Sequence, residues 1–260
     1  MRRLRIFFGG MILLGLMASC DSDDSVEDQL AEPQLMVEAY VFANEHVNHV
    51  KVAKIHTEGA ADLIPVDDAN ITISQGNKSA SLDLKDEAEG IYEISDPEIT
   101  FSGSEPLMLE ILLDDRLYTS TTSFPAEIGP LNLSNSTVDI TNSGDNLPLT
   151  TLSWADSEEG RTFCVFSKGV WADSSNAFLI QTAHDSPLYN LHSDTSVDLF
   201  SNHFTHVGSY QLYVSAVNIE YIQMYSQNSS PDLRGAPSNI DGAWGVFTAF
   251  NGRSVDINVE

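Results

Sequence analysis

Basic residues are scarce in this 260-residue chain. Only 12 Lys and Arg stand against 38 Asp and Glu, a formal charge of −26. So acidic a surface repels phosphate backbones, which argues against a nucleic-acid partner, and it offers an anionic bilayer no basic patch. Cysteine is as rare. Cys20 and Cys164 are the only two, and with Cys20 in an N-terminal processing site no internal disulfide is expected. Long apolar runs are missing as well: Ile6 to Leu16 falls short of the ~20 residues a spanning helix needs, and no longer run follows. Nor is there a Gly-x-Ser-x-Gly elbow, a Walker loop, a dinucleotide fingerprint or an EF-hand loop. A glycosidase needs two carboxylates facing across a cleft. With 38 acids, neighbours such as Asp67-Asp68, Asp114-Asp115 and Glu158-Glu159 single out no such pair. The expectation is a protein that is not an enzyme and carries no cofactor.

What the chain does have begins at its N-terminus. Arg2, Arg3 and Arg5 precede the apolar stretch Ile6 to Leu16, and Ala18 and Ser19 lead into Cys20. These are the three regions of an exported protein's signal peptide. Leu16-Met17-Ala18-Ser19-Cys20 resembles a bacterial lipobox, with Met17 where leucine is commoner. Residues 1–19 are therefore read as a lipoprotein signal peptide and Cys20 as the acylation site. By that resemblance, outer-membrane lipid is attached to Cys20, whose several acyl chains together anchor firmly. Losing residues 1–19 removes three arginines and no acid, which takes the formal charge from −26 to −29. Asp21, Ser22, Asp23 and Asp24 follow at once and resemble the acidic export signal of Bacteroidota surface lipoproteins. Asp24-Ser25-Val26 matches a short O-glycosylation motif of that phylum at Ser25. Residues 20–34, acidic and bounded by Pro33, read as a flexible tether.

From Leu35 the pattern changes. Leu35, Val37, Ala39 and Val41 alternate with Met36, Glu38 and Tyr40, the period of a half-buried strand. Further strands are expected at Val50–Ile55, Ile71–Ile73, Ser81–Leu84 and Ile91–Ile94. A hairpin is expected from Leu107–Leu113 and Arg116–Phe124 about Asp114-Asp115. Residues 35–126 are thus read as one β-sandwich domain of immunoglobulin-like size. Residues 127–260 are read as a second. Its strands are expected at Leu149–Trp154, Phe163–Val170, Ala177–Thr182, Ser196–Phe200 and Tyr210–Val214, with Trp154 in the core. Val217, Tyr221, Met224 and Tyr225 recur at helical spacing and predict one short amphipathic helix near 216–228. Asn251-Gly252 predicts a terminal hairpin of Trp244–Phe250 with Ser254–Val259.

Three groups of residues invite a functional reading. The histidines include His46-x-x-His49 and His203-x-x-His206, with His56, His184 and His192 apart. In strands or loops that spacing points the rings to opposite faces, so no metal site is predicted. Cys164 sits in the apolar run Thr162 to Phe166 and reads as an inert core residue. Pro237, Ser238, Asn239, Asp241 and Trp244 form the most loop-like block, in which Ser238 and Asn239 can bond their own backbone. Either a structural crossing or a binding loop accounts for them.

Taken together, several segments resemble the Bacteroidota outer-membrane lipoprotein family catalogued as domain of unknown function 4249. They are the lipobox, Glu32 to Ala39, Tyr118 to Pro125, the strand ending on Trp154, and Ala236-Pro237-Ser238-Asn239-Ile240-Asp241-Gly242-Ala243-Trp244-Gly245-Val246-Phe247. The resemblance implies an all-β, two-domain outer-membrane lipoprotein of a kind often encoded beside TonB-dependent transporters, and it supplies no catalytic residues; the acidic export signal implies the outer face of that membrane. A binding or accessory subunit of such a transporter is the leading expectation. A structural or adhesive envelope lipoprotein is the alternative, and a hydrolase comes third.

Overall fold

The computed structural model describes residues 34–45, 49–55, 63–96, 98–140, 147–170, 191–204, 207–225 and 238–260. Strand β1 (Gln34–Phe42) forms where the alternation predicts it, but it is not half-buried. Met36, Tyr40 and Phe42 are as inaccessible as Val37, Ala39 and Val41. The cause is its place in the sheet, with β2 (His49–Ile55) antiparallel on one edge and the C-terminal strand parallel on the other. Parallel strands are characteristically covered on both faces.

Short strands follow: β3 (Leu63–Pro65), β4 (Asn70–Gln75), β5 (Lys78–Asp86), β6 (Ile91–Ile94), β7 (Leu107–Leu113) and β8 (Arg116–Thr122). The predicted β7–β8 hairpin is present, with Leu113 paired to Arg116. Asp114 and Asp115 between them sit at φ 53° and 61°. Two left-handed residues give a turn whose twist matches that of the strands.

The rest of the chain supplies β9 (Leu131–Leu133), β10 (Thr137–Val138), β11 (Thr150–Trp154), β12 (Phe163–Val170), β13 (Leu191–His192) and β14 (Ser196–Leu199). Then come β15 (Gly208–Ala216), helix α1 (Ile219–Tyr225), β16 (Ile240–Asp241) and β17 (Trp244–Val259). The strand expected at Ala177–Thr182 lies outside the described residues, as do residues 226–228 of the predicted helix. Within α1, Tyr221 and Met224 are buried as the periodicity requires.

The terminal hairpin does not form. Asn251 and Gly252 lie inside β17, a single strand of 16 residues. Its first half, Trp244 to Phe250, runs parallel to β1, and its second half, Asn251 to Val259, runs antiparallel to β15. The edge of the first half that a hairpin partner would need is taken by one side chain. Asn239 Nδ2 donates to Phe247 O at 2.7 Å, and Phe247 N donates to Asn239 Oδ1 at 2.9 Å. Gly252 serves close approach instead of turning, since a Cβ there would stand 2.0 Å from Val214 O.

The sheet runs β13-β12-β15-β17-β1-β2-β6-β5-β4-β7-β8-β16, and β14-β11-β9 form a second, three-stranded one. The fold is all-β, with sheets layered as in a sandwich and, among the described residues, one short α-helix. In the first layered body the inward faces of β1, β2, β4 to β8 and the start of β17 meet in one core that includes Val37, Ile73, Tyr92, Leu109 and Phe247. A second core lies between the three-stranded sheet and the β12-β15-β17 strands. There Leu152 and Trp154 face Phe163, Leu212 and Ile257, and Trp154 meets Phe163 edge-on at 5.2 Å.

A third core sits on the opposite face of β12 and β15, under α1. Tyr40, Phe42, Phe166, Tyr213, Tyr221, Met224 and Phe250 build it, with Phe42 stacked on Phe250 at 4.8 Å. Its members come from both sides of residue 126. The expected boundary there falls between Phe124, in the first core, and Ile128, in the second. Ile240, Ala243, Phe247 and Ala249 nonetheless belong to the first core.

The segment between the cores is held carbonyl by carbonyl. Asn218 Nδ2 donates to Ser123 O at 2.7 Å, and Asn251 Nδ2 to Pro125 O at 3.0 Å. Arg161 Nη1 reaches Ala126 O at 2.6 Å, and Arg253 Nε reaches Ile128 O at 2.9 Å. Residues Pro33–Glu260 form one compact unit.

Candidate functional site

The proposed processing and export residues, Cys20, Asp21, Ser22, Asp23 and Asp24, lie outside the described residues, as do Ser25 and Pro237. Of the loop block, Ser238 to Trp244 is described. Ser238 Oγ donates to Ala243 O at 2.9 Å and accepts from Ile240 N at 3.1 Å. Asn239 grips Phe247 as above, and its carbonyl accepts from Ser120 Oγ at 2.6 Å. Ile240 and Asp241 pair with Ser120 and Thr119 of β8. The left-handed Gly242, φ 79°, turns the chain into β17. These polar groups satisfy the chain's own backbone, as a crossing does. Asp241 stays exposed, and Trp244 packs on Met36, Ala53 and Ile55.

Among the histidines, His46, His56, His184 and His206 are outside the described residues. His192 and His203 stand near enough to influence each other. Burial lowers both pKa values, and the neighbouring His192 lowers that of His203 further. Phe200 N donates to His203 Nδ1 at 3.3 Å. No group of three His, Cys, Asp or Glu side chains gathers among the described residues.

Cys164 is buried, and burial pushes its thiol up to about 12 despite Tyr221 Oη at 3.6 Å. At neutral pH it is protonated, hence a poor nucleophile. Close by, the Tyr40 and Tyr225 hydroxyls bond each other beneath α1. Burial raises the Glu38 carboxyl on the same face of β1, while Lys51 draws it back.

An open cleft lies between two of the described elements. It has a volume of about 420 Å³ and lies where β8 ends and α1 begins, lined by Pro106, Thr121, Thr122, Ser123, Asn218, Ile219 and Glu220. Thr122 organises it. Its buried hydroxyl donates to Glu220 Oε1 at 2.6 Å and accepts from Asn218 Nδ2 at 3.2 Å. Sequence reasoning missed this site because its two sides are 98 residues apart. The only signal was the run of hydroxyls from Thr119 to Ser123, which also reads as an ordinary strand.

No family model matches the chain, and no curated protein matches it in sequence. Solved structures do match in part. One is the chicken CNTN1 fragment of domains FN1–FN3, at 10% identity and TM-score 0.23, covering 87% of this chain and 64% of that one. Another is the BSP domain of a biofilm associated protein, at 14% identity and TM-score 0.25, covering 87% of this chain and 30% of that one. In both cases the chain spans less than two thirds of the structure it matches. No helix among the described residues is long and apolar enough to cross a membrane.

Proposed function

We propose that this chain is a lipid-anchored protein on the outer face of a bacterial outer membrane. It acts there as a binding or accessory subunit of a TonB-dependent nutrient transporter rather than as an enzyme. The observation that carries this reading is Leu16-Met17-Ala18-Ser19-Cys20 with Asp21-Ser22-Asp23-Asp24 directly behind it. A thioether-linked lipid on Cys20 and an acidic tether would leave the β-rich body free to meet a partner above the bilayer. The all-β fold fits that role, because strands hold loops and clefts in fixed positions.

The test has two arms. Cys20→Ala is expected to abolish incorporation of labelled fatty acid and to release the protein from the membrane; a variant that stays membrane-bound rejects the anchor. The tagged wild type is expected to co-purify with a TonB-dependent transporter from solubilised outer membranes. Recovery without any transporter rejects the partnership and leaves the anchor standing.

A further inference from the structure

Two histidines close one end of the second core. Leu191 and His192 form β13, and His192 pairs with Phe163 of β12. Directly opposed residues of a strand pair point to the same face, so His192 is turned to the core that holds Phe163 and Trp154. His203 stands at the other end of the same stretch, in a 3-10 turn of Ser201–His203 that follows β14. There it holds both backbone groups of Phe200: His203 N donates to Phe200 O at 3.0 Å, and Phe200 N donates to His203 Nδ1 at 3.3 Å. The turn sets the next residue, Phe204, into the second core, edge-on to Tyr210 at 5.3 Å.

Both rings sit where the neutral imidazole fits and the charged one does not. A ring nitrogen that accepts a hydrogen bond carries no proton, so the single proton of His203 is on Nε2; a second would set Nδ1–H against the N–H of Phe200. His192 Nε2 is buried and has no partner among the described residues, so an imidazolium would strand a charged N–H there. The rings also lie within electrostatic reach of each other, and a proton on one opposes a proton on the second. The groups around them offer little in return. Asp194, on the same segment, favours a charged His192, but it is exposed. Asp198 is engaged on the outer face by Thr151 Oγ1 at 2.7 Å. Ahead of β12 comes a cation, Arg161, 5.8 Å from the centre of the Phe163 ring and paired with Asp156. β11, β15 and β17 bring Leu152, Trp154, Tyr210, Leu212 and Ile257 to this core, none of them an acid.

We propose that the stretch Leu191–Phe204 is an acid-released latch on the second core, shut while His192 and His203 are neutral and loosened when they take up protons. Its release frees β14 from β11, which it joins from Thr150↔Leu199 to Ser153↔Ser196, and uncovers Trp154 and Phe163 between the sheets. The latch does not depend on where the chain is anchored or on a transporter. Opening returns both histidines to the ordinary value of ~6.5, above their lowered values in the closed form. The open form therefore binds protons more readily. Closure is fully favoured above pH ~6.5 and is lost as pH falls through that value toward the lower, closed-form ones.

Amide hydrogen exchange of the full chain in detergent, read by mass spectrometry at about pH 7.5 and about pH 5 and corrected for intrinsic exchange rates, tests it. Carboxylates with ordinary values of ~3.9 to ~4.3 stay ionised at both. Protection across 191–204 is expected to fall about tenfold in acid, below the ceiling of roughly thirtyfold per histidine that about 1.5 pH units allow. Protection of the Leu107–Thr122 hairpin is expected to stay the same. His192→Met removes one titrating ring, and His203→Asn removes the other while keeping an acceptor for Phe200 N. The double variant is expected to lose the acid effect. His203→Asn alone is expected to reduce it to about threefold, and decides the matter if the double variant does not fold. Equal protection of 191–204 at both pH values, an equal fall in the hairpin, or an undiminished fall in the folded variants overturns the proposal.

Discussion

The two halves of β17 differ in almost every respect except covalent continuity. From Gly245 to Phe250 every residue is buried, whereas beyond Asn251 burial is confined to Ile257 and Val259. The first half is a parallel neighbour of β1 covered on both faces; the second is an antiparallel neighbour of β15 with one face toward water. Their sequences follow suit, with an apolar run Val246 to Phe250 broken only by Thr248, then the alternation Ser254 to Val259. One strand can therefore carry two burial regimes. The residues at the change, Asn251-Gly252, look like a turn because a change of regime and a reversal of direction leave the same local mark.

The sharpest way to break this comparison is to damage each half separately. A Cβ at Gly245, where φ is 121°, would lie 1.8 Å from Val37 O. Gly245→Ala is expected to cost more than about 4 kcal/mol, enough to prevent folding of a marginal domain. Gly252→Ala, whose Cβ would stand 2.0 Å from Val214 O but which carries no positive-φ strain, is expected to cost about 3 kcal/mol. Because the third core joins Val246 and Phe250 of the first half to Tyr213 of β15, the strand that pairs with the second half, thermal unfolding followed by tryptophan fluorescence and by far-ultraviolet circular dichroism should give one coincident transition in each folded variant. Two separated transitions in Gly252→Ala would show that the halves melt independently.

Removing the link between the cores comes next. Asp156, its side chain only 4% exposed, is paired with Arg161, which also holds Ala126 O. Arg161→Met strands that carboxylate and is expected to cost about 3 kcal/mol. The pair also sets a pH dependence. The Arg161 hydrogen bonds hold the Asp156 carboxyl below its ordinary range, so the unfolded chain binds the proton more readily. The contribution is whole above the unfolded value of ~3.9 and is lost as pH falls through the lower folded value. Denaturant titrations should show the wild type losing more stability than Arg161→Met over that acidic window.

Smaller effects are expected at single contacts. Asn239→Ala leaves both Phe247 backbone groups without their partner and should cost about 2 kcal/mol in denaturant unfolding. Cys164 should resist a thiol reagent in the native protein and react at the rate of unfolding, as its burial and raised pKa require. Fast labelling without denaturant would contradict its place in the third core.

How much of this was legible beforehand follows from range. β1, β2, β4 to β8, β11 and β12 announce themselves because alternation and turn residues are local properties. Asp114-Asp115 made a turn because nothing distant competes for it. Asn251-Gly252 did not, because Asn239 occupies one edge of the preceding strand and β15 draws the following residues onward. That β1 is covered on its Met36–Tyr40 face depends on α1 and on β17, both roughly two hundred residues away, and no window around β1 contains them. The cleft escaped for the same reason: Thr122 looks like a strand residue, Glu220 like a solvated helix residue, and only the fold brings them together.

β1 has a further consequence, which is mechanical. It is the first described strand after the N-terminal segment, and seven residue pairs join it to each neighbour. Tension arriving through the N-terminus would pull β1 lengthwise between β2 and β17. Hydrogen bonds that lie across the pull must then share the load and fail together, not peel away one at a time. The bulky Tyr40 and Phe42 would also have to be dragged through the aromatic core. A strand seated in this way is a grip: whatever tugs on the N-terminal segment meets the resistance of the whole body at once.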